Sequence, residues 1–173
     1  MENINWYPGH MKKTRELIKE NLKMVDAVIE VIDARIPVSS RNPIIDELVQ
    51  GKPRIIVLNK SDLADSAACR EWSDRFRGEG SLCLSMNCMS GTGVKELFRL
   101  LEKMESEKNK ERARQKPFRM MIVGVPNVGK SSLINRMTGR KSAQTGDRPG
   151  VTRGKQWLKL KNGMQLLDTP GIL

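Results

Sequence analysis

Apolar positions along this chain fall into two patterns. Val25–Ile32, closed by Asp33, and Arg54–Leu58 are nearly continuous β-branched runs, as in strands buried on both faces. Leu82–Met86 and Met120–Val123 are shorter runs of the same kind. Between them the apolar residues recur every three to four positions. Leu17, Ile18 and Leu22 predict a helix over Thr14–Met24. Asn42 as cap and Pro43 at the first position predict a second helix, with Ile44, Ile45, Leu48 and Val49 inward and Gly51 ending it. Ser66–Arg77 predicts a third, stopped by Gly78 and Gly80. Val94, Leu97, Phe98, Leu101 and Met104 mark a fourth over Val94–Met104. Glu105–Lys116 then reads as a solvated tail or linker, punctuated by Pro117. A glycine-rich turn and a helix over Lys130–Met137 follow the fourth strand, and Lys141–Gly154 reads as a mobile loop. Lys155–Leu160 and Met164–Leu167 flank Asn162-Gly163, a dipeptide that favours a two-residue hairpin turn.

Strands alternating with helices predict an α/β fold: a mostly parallel sheet, helices on both faces, and one antiparallel hairpin. The 173 residues suffice for one such domain. With no apolar run of about 18 residues, no membrane span or membrane partner is expected. Residues 1–13 lack the apolar core of a signal peptide. Three cysteines, Cys69, Cys83 and Cys88, with one distant histidine, His10, predict free thiols of a cytoplasmic protein, without disulfide framework or zinc site.

Charge sharpens the picture because it is unevenly placed. Of the net +11, residues 117–161 contribute ten basic side chains against one acidic, Asp147. Eight of those ten lie between Arg136 and Lys161. Such a local excess favours a polyanion, and RNA is the first expectation beside a merely solvated face.

Three motifs carry chemistry. Gly124-Val125-Pro126-Asn127-Val128-Gly129-Lys130-Ser131 sits between a strand and a helix and fits the phosphate-binding P-loop. Its backbone N–H groups and the helix N-terminus would cradle phosphate oxygens. Lys130 would reach the outer phosphates, and the Ser131 hydroxyl would bind Mg²⁺. The nucleotide contacts expected here are Asn127, Val128, Gly129, Lys130, Ser131 and Ser132. Asp168-Thr169-Pro170-Gly171 closes the last strand, where Asp168 can hold Mg²⁺ through water and the Gly171 N–H can meet a γ-phosphate. Asn59-Lys60-Ser61-Asp62 follows the second strand. A buried Asp62 carboxylate would accept both hydrogen bonds from the guanine N1–H and 2-amino groups, a pair adenine cannot supply. Asn59 would meet the other base edge, and the Lys60 stem would cover the ring.

The motifs run Asn59–Asp62, then Asn87-Cys88 before Gly91-Thr92-Gly93, then the P-loop, Thr152, and Asp168–Gly171. That order resembles the circularly permuted P-loop GTPases. The opening Trp6-Tyr7-Pro8-Gly9-His10-Met11 resembles the start of those members that serve ribosome assembly. The resemblance implies that Asn87 and Cys88, where most relatives have Ser-Ala, back the guanine through main-chain N–H groups. It implies that Thr152 binds Mg²⁺ and senses the γ-phosphate, and that Asn127 helps hold a K⁺ ion. Ile172 stands where many GTPases carry a water-orienting glutamine, so the resemblance turns to His10 as catalytic group beside Lys130 and Thr152.

The implied organisation is a helical extension, residues 1–23, before a permuted GTPase domain, 24–173. The C-terminal RNA-binding domain of the family and part of the second switch are not expected within a sequence ending at Leu173. The implied function is GTP binding and hydrolysis to GDP in assembly of the large ribosomal subunit and its RNA, as a monomer. Action on another RNA, or nucleotide-dependent RNA binding with negligible hydrolysis, stands as the alternative.

Overall fold

Every residue of β1 (Ala27–Asp33) is buried, because this strand lies inside the sheet with helices over both faces. The structure is a computed structural model and describes residues 8–41, 43–49, 51–124, 128–139 and 156–168. In chain order the elements are α1 (Pro8–Leu22), β1, α2 (Pro43–Leu48), β2 (Arg54–Asn59), α3 (Ser66–Gly78), β3 (Leu82–Ser85), α4 (Val94–Lys110), β4 (Arg119–Val123), α5 (Lys130–Thr138), β5 (Gln156–Lys159) and β6 (Gln165–Asp168).

The six strands lie in the order β3-β2-β1-β4-β6-β5. All neighbours are parallel except the β5–β6 hairpin. Odd-numbered β1 residues, Ala27, Ile29 and Val31, join Leu97 and Leu101 of α4 and Leu133, Ile134 and Met137 of α5 in one apolar layer. On the other face Val28, Met121, Val123 and Leu167 pack with Ile18 and Leu22 of α1 and Ile45 of α2. Further along that face Ile32, Ile56 and Leu58 meet Cys69 and Phe76 of α3. The two-faced α/β fold read from the sequence is therefore present.

One polar residue divides that second face. Glu30 falls between Val28 and Ile32 on β1 and is 2% exposed. Arg41 donates to both of its carboxylate oxygens, at 2.9 and 3.2 Å, and Arg54 to one at 3.3 Å. Asp46 of α2 takes Arg54 at 2.8 Å and Arg41 at 3.2 Å. Two carboxylates and two guanidiniums thus neutralise one another under the α2 side, as buried charge requires.

Three local expectations are corrected. α1 begins at Pro8, not Thr14, since proline is tolerated in a first turn, and it ends at Leu22. Leu17 is exposed on it, while Ile18 and Leu22, four apart, face the core. The charged stretch after Met104 is not tail from Glu105 onward: α4 runs to Lys110, because Glu and Lys sustain a helix that already has a packed face. The hairpin turn holds three residues, Lys161–Gly163, not two. Gly163 N–H donates to Leu160 O at 3.0 Å with Gly163 at φ +88°, and Leu160 N–H donates to Met164 O at 2.8 Å. This is a turn closed by a left-handed glycine, which keeps the strand twist. The Lys141–Gly154 loop lies outside the described residues.

Candidate nucleotide site

From β1 the chain moves outward through β2 and β3, then α4 returns it past β1 to β4. The direction of sheet building therefore reverses between β1 and β4. In a parallel sheet such a reversal opens a crevice at the carboxyl ends of the strands, where ligands bind. Because β1, β2, β3, β4 and β6 run the same way, the segments following them emerge at that one edge. They carry Asn59–Asp62, Asn87–Gly93 and the P-loop, while Asp168 closes β6.

Asn59 is the bolt of this edge. Its Nδ2 donates to Val128 O in the P-loop at 2.7 Å, and its Oδ1 accepts from Cys88 N–H at 3.0 Å. Its own backbone carbonyl takes Ala34 N–H at 2.8 Å. It is 4% exposed. Besides the base-edge contact read from sequence, the amide joins two loops that sequence separates by 29 and 69 positions, and this uses one of its two Nδ2 hydrogens. Gly129 must be glycine for the same reason. It sits at φ +103°, and an added Cβ would lie 2.2 Å from Asn59 Nδ2.

Past β2 the chain turns on Lys60, the one non-glycine residue with positive φ among the described residues, at φ 61° and ψ 35°. Left-handed backbone outside glycine is costly and concentrates at functional sites. A 3-10 turn over Ser61–Leu63 follows, held down by Ser61 N–H and Oγ, both donating to Met86 O at 3.1 and 3.0 Å. This turn lifts Asp62 off the strand edge, so the carboxylate is exposed on the rim rather than buried.

Asp33 joins the site although motif reading assigns it no role there. It ends β1 in register with Asn59, and Lys60 Nζ lies 3.4 Å from its Oδ2. Arg35 donates to the same carboxylate through Nη2 at 2.8 Å, Nε at 3.1 Å and its backbone N–H at 2.9 Å. The Arg35 hydrogen bonds, with help from Lys60, outweigh burial and hold the Asp33 carboxyl down at about 2. The signal in the sequence is an aspartate closing a buried strand with arginine two residues on.

The Asn87–Gly93 loop is braced from within. Asn87 Oδ1 accepts Met89 N–H at 3.0 Å and Ser90 N–H at 3.2 Å, and Asn87 N–H donates to Thr92 O at 3.0 Å. Asn87 in place of a smaller residue thus supplies its own loop cap. The Cys88 N–H expected at the guanine is given to Asn59 instead. Burial pushes the Cys88 thiol up to about 12, against the opposing charge of Arg136, so it is an inert apolar residue. Arg136, counted by sequence among the polyanion-facing charges, spends its guanidinium on this loop, with Nε on Cys88 O at 3.0 Å and Nη2 on Met89 O.

On the phosphate side Lys130 opens α5 behind Gly129, and Ser131 and Ser132 stand half-buried in its first turn. Ser132 Oγ lies 3.9 Å from Met89 Sδ, so the base loop borders the phosphate end. A hydroxyl and a carboxylate, as Ser131 and Asp168 would supply, are the oxygen donors that a hard cation such as Mg²⁺ takes. Asn127, Thr152 and Gly171 lie outside the described residues, and His10 falls within α1.

Known proteins bear on this arrangement. Residues 119–173 match the family model described as 50S ribosome-binding GTPase. That match starts at β4 and omits the base-side half, which in this chain comes first. The ribosome biogenesis GTPase A of Priestia megaterium is 49% identical over 98% of this chain and 61% of its own length. The mitochondrial ribosome-associated GTPase 1 of Mus musculus is 42% identical over 97% of this chain and 55% of its own. The chain thus spans about 60% of the length of the first of these relatives. The crystal structure titled GNP-bound YlqF from T. maritima superposes with a TM-score of 0.61 at 34% identity, over 93% of this chain and 58% of that one. With base-side strands ahead of the P-loop, the chain has the circularly permuted P-loop GTPase fold, and its sequence is similar to the proteins named ribosome biogenesis GTPase A.

Proposed function

We propose that this chain is the nucleotide-binding part of a cytoplasmic GTPase that assists assembly of the large ribosomal subunit. In that reading residues 24–173 form the permuted GTPase domain and 1–23 its helical extension. The carrying observation is the Asn59 amide, which joins the P-loop to the Asn87–Gly93 loop and so makes one cleft of a phosphate half and a base half. Asp62 at the rim reads the guanine N1–H and 2-amino donors, and the Lys60 stem, steadied by Asp33, lies along the ring. Lys130 and the α5 N-terminus take the β- and γ-phosphates. Mg²⁺, held by Ser131, Thr152 and Asp168, would draw charge from the phosphate oxygens, and K⁺ beside Asn127 would add to it. His10 orients the attacking water in place of the missing glutamine, and Thr152 senses the γ-phosphate. The relatives named for ribosome biogenesis support the ribosomal particle as partner, and the basic 117–161 segment supports RNA within it. The protein acts as a monomer, away from membranes.

The test is GTP turnover by the full-length protein, with and without large ribosomal subunits, in K⁺ and in Na⁺. Stimulation by the particle is expected. His10→Ala should keep GTP affinity while lowering stimulated turnover at least about tenfold, within the usual worth of a positioned base. Turnover indifferent to added subunits would sink the assembly reading, and unchanged stimulation in His10→Ala would remove His10 from the mechanism.

A further inference from the structure

The Arg136 guanidinium is doing something that its place in a basic stretch does not suggest. α5 begins at the P-loop, with Lys130 and Ser131 in its first turn, and Arg136 follows six residues on, about 9 Å along the axis. From there its Nε donates to Cys88 O at 3.0 Å and its Nη2 to Met89 O. Gly91 leaves room for it: a Cβ added there would stand 3.4 Å from Nη1 and 3.6 Å from Cζ. The loop's donors are engaged as well, Cys88 N–H by Asn59, and Met89 and Ser90 N–H by Asn87. Two adjacent carbonyls facing the same way need a donor with two arms, and a planar guanidinium has them. The loop is therefore clamped to the phosphate helix on its carbonyl side by one residue and to the P-loop on its amide side by another.

We propose that Arg136 is a positioning residue for guanine recognition, fixing the Asn87–Gly93 loop to the helix that binds the phosphates. This rests on the nucleotide reading above. Its consequence is that base and phosphates are held in one rigid frame, so loosening the clamp lets the Asn59 amide, which the Cys88 N–H holds in place, lose its aim at the O6 edge of guanine and spares the contacts to phosphate. The residue belongs to the nucleotide site, not to the RNA-facing charge.

Binding of GDP and of 2-aminopurine riboside diphosphate, which lacks the O6 carbonyl, separates the alternatives. Calorimetry on the full-length protein compares wild type, Arg136→Ala and Arg136→Lys, with amide hydrogen exchange at residues 88–91 in the same samples. Arg136→Ala is expected to lose at least tenfold in GDP affinity and no more than threefold for the O6-less analogue, with faster exchange at Met89 and Ser90. Arg136→Lys, which keeps the charge and loses the fork, should behave like Arg136→Ala. Equal losses for both nucleotides would show a purely structural role and overturn the proposal. So would GDP affinity within twofold of wild type, or a lysine variant indistinguishable from wild type. Wild type binding GDP no tighter than ADP would instead overturn the nucleotide reading itself. Association with ribosomal RNA that falls in Arg136→Ala, with GDP binding intact, would return Arg136 to the polyanion-facing surface.

Discussion

Asp33 shows how one side chain can serve stability and site together. Its carboxyl is held at about 2, below its ordinary 3.8, chiefly by Arg35 hydrogen bonds and then by Lys60. A depressed folded-state value means the stabilisation is complete above about pH 4 and is lost as pH falls toward 2. Its size is roughly 2 kcal/mol from the shift. Asp33→Asn should therefore unfold at lower urea near pH 7 and converge with wild type near pH 2. Parallel urea curves across that range would refute the assignment. The same variant frees the Lys60 stem, so its GTP affinity should fall as well. Asp62 stands apart, exposed on its 3-10 turn and available for ligand. Asp62→Asn should weaken GTP binding by roughly a hundredfold and favour xanthine nucleotide, since paired hydrogen bonds to a carboxylate are worth several kcal/mol in discrimination. Equal affinity of wild type for ATP and GTP in calorimetry would reject guanine recognition.

At the scale of elements, the informative case is β1. Its apolar run predicts a buried strand, and it is one, yet Glu30 sits at its centre with 2% exposure. The charge persists there because Arg41, from the loop after β1, and Arg54, at the start of β2, both turn in to meet it. Glu30→Ala would leave two guanidiniums largely out of water, with Asp46 as the carboxylate still paired to both. A cost of about 3–5 kcal/mol is expected for removing one partner of such a buried network. Reversible chemical denaturation measures it, and a loss under about 1 kcal/mol would mean that Asp46 alone satisfies both arginines. The same network fixes α2 against the sheet. Hence a six-residue helix, too short to stand alone, is ordered by its ion pairs and by Ile45.

For the whole molecule, the uneven charge of the sequence meets a fold that sorts it. Arg136 turns inward to the base loop, and Arg119 lies 4.6 Å over the Trp157 ring with its Nε on Gln165. The basic residues between β4 and β6 thus do not form one uniform surface. Charge reversal at Arg140, Lys141, Arg153 and Lys155 should reduce association with large subunits and flatten its dependence on salt, because each lost phosphate contact removes counterion release. Nucleotide binding measured in the same variants separates this effect from damage around Thr152. Sedimentation unchanged across a salt series would leave these charges as a solvated face.

The sequence by itself determined the fold class, the motifs and their permuted order. Buried strands, helix faces and the glycines of a phosphate loop leave local patterns, and local patterns survive in one dimension. It also singled out Lys130, Ser131 and Asp62 for the roles proposed above. Tertiary structure decided which polar groups face the ligand and which face each other. Asn59 spans loops 29 and 69 residues away, Arg136 reaches back to Cys88, and Asp33 meets Lys60 across two paired strand ends. A buried polar atom must find a partner wherever the sheet order brings one. No spacing along the chain records that choice, because β4 enters beside β1 only after the chain has built β2 and β3 on the other side.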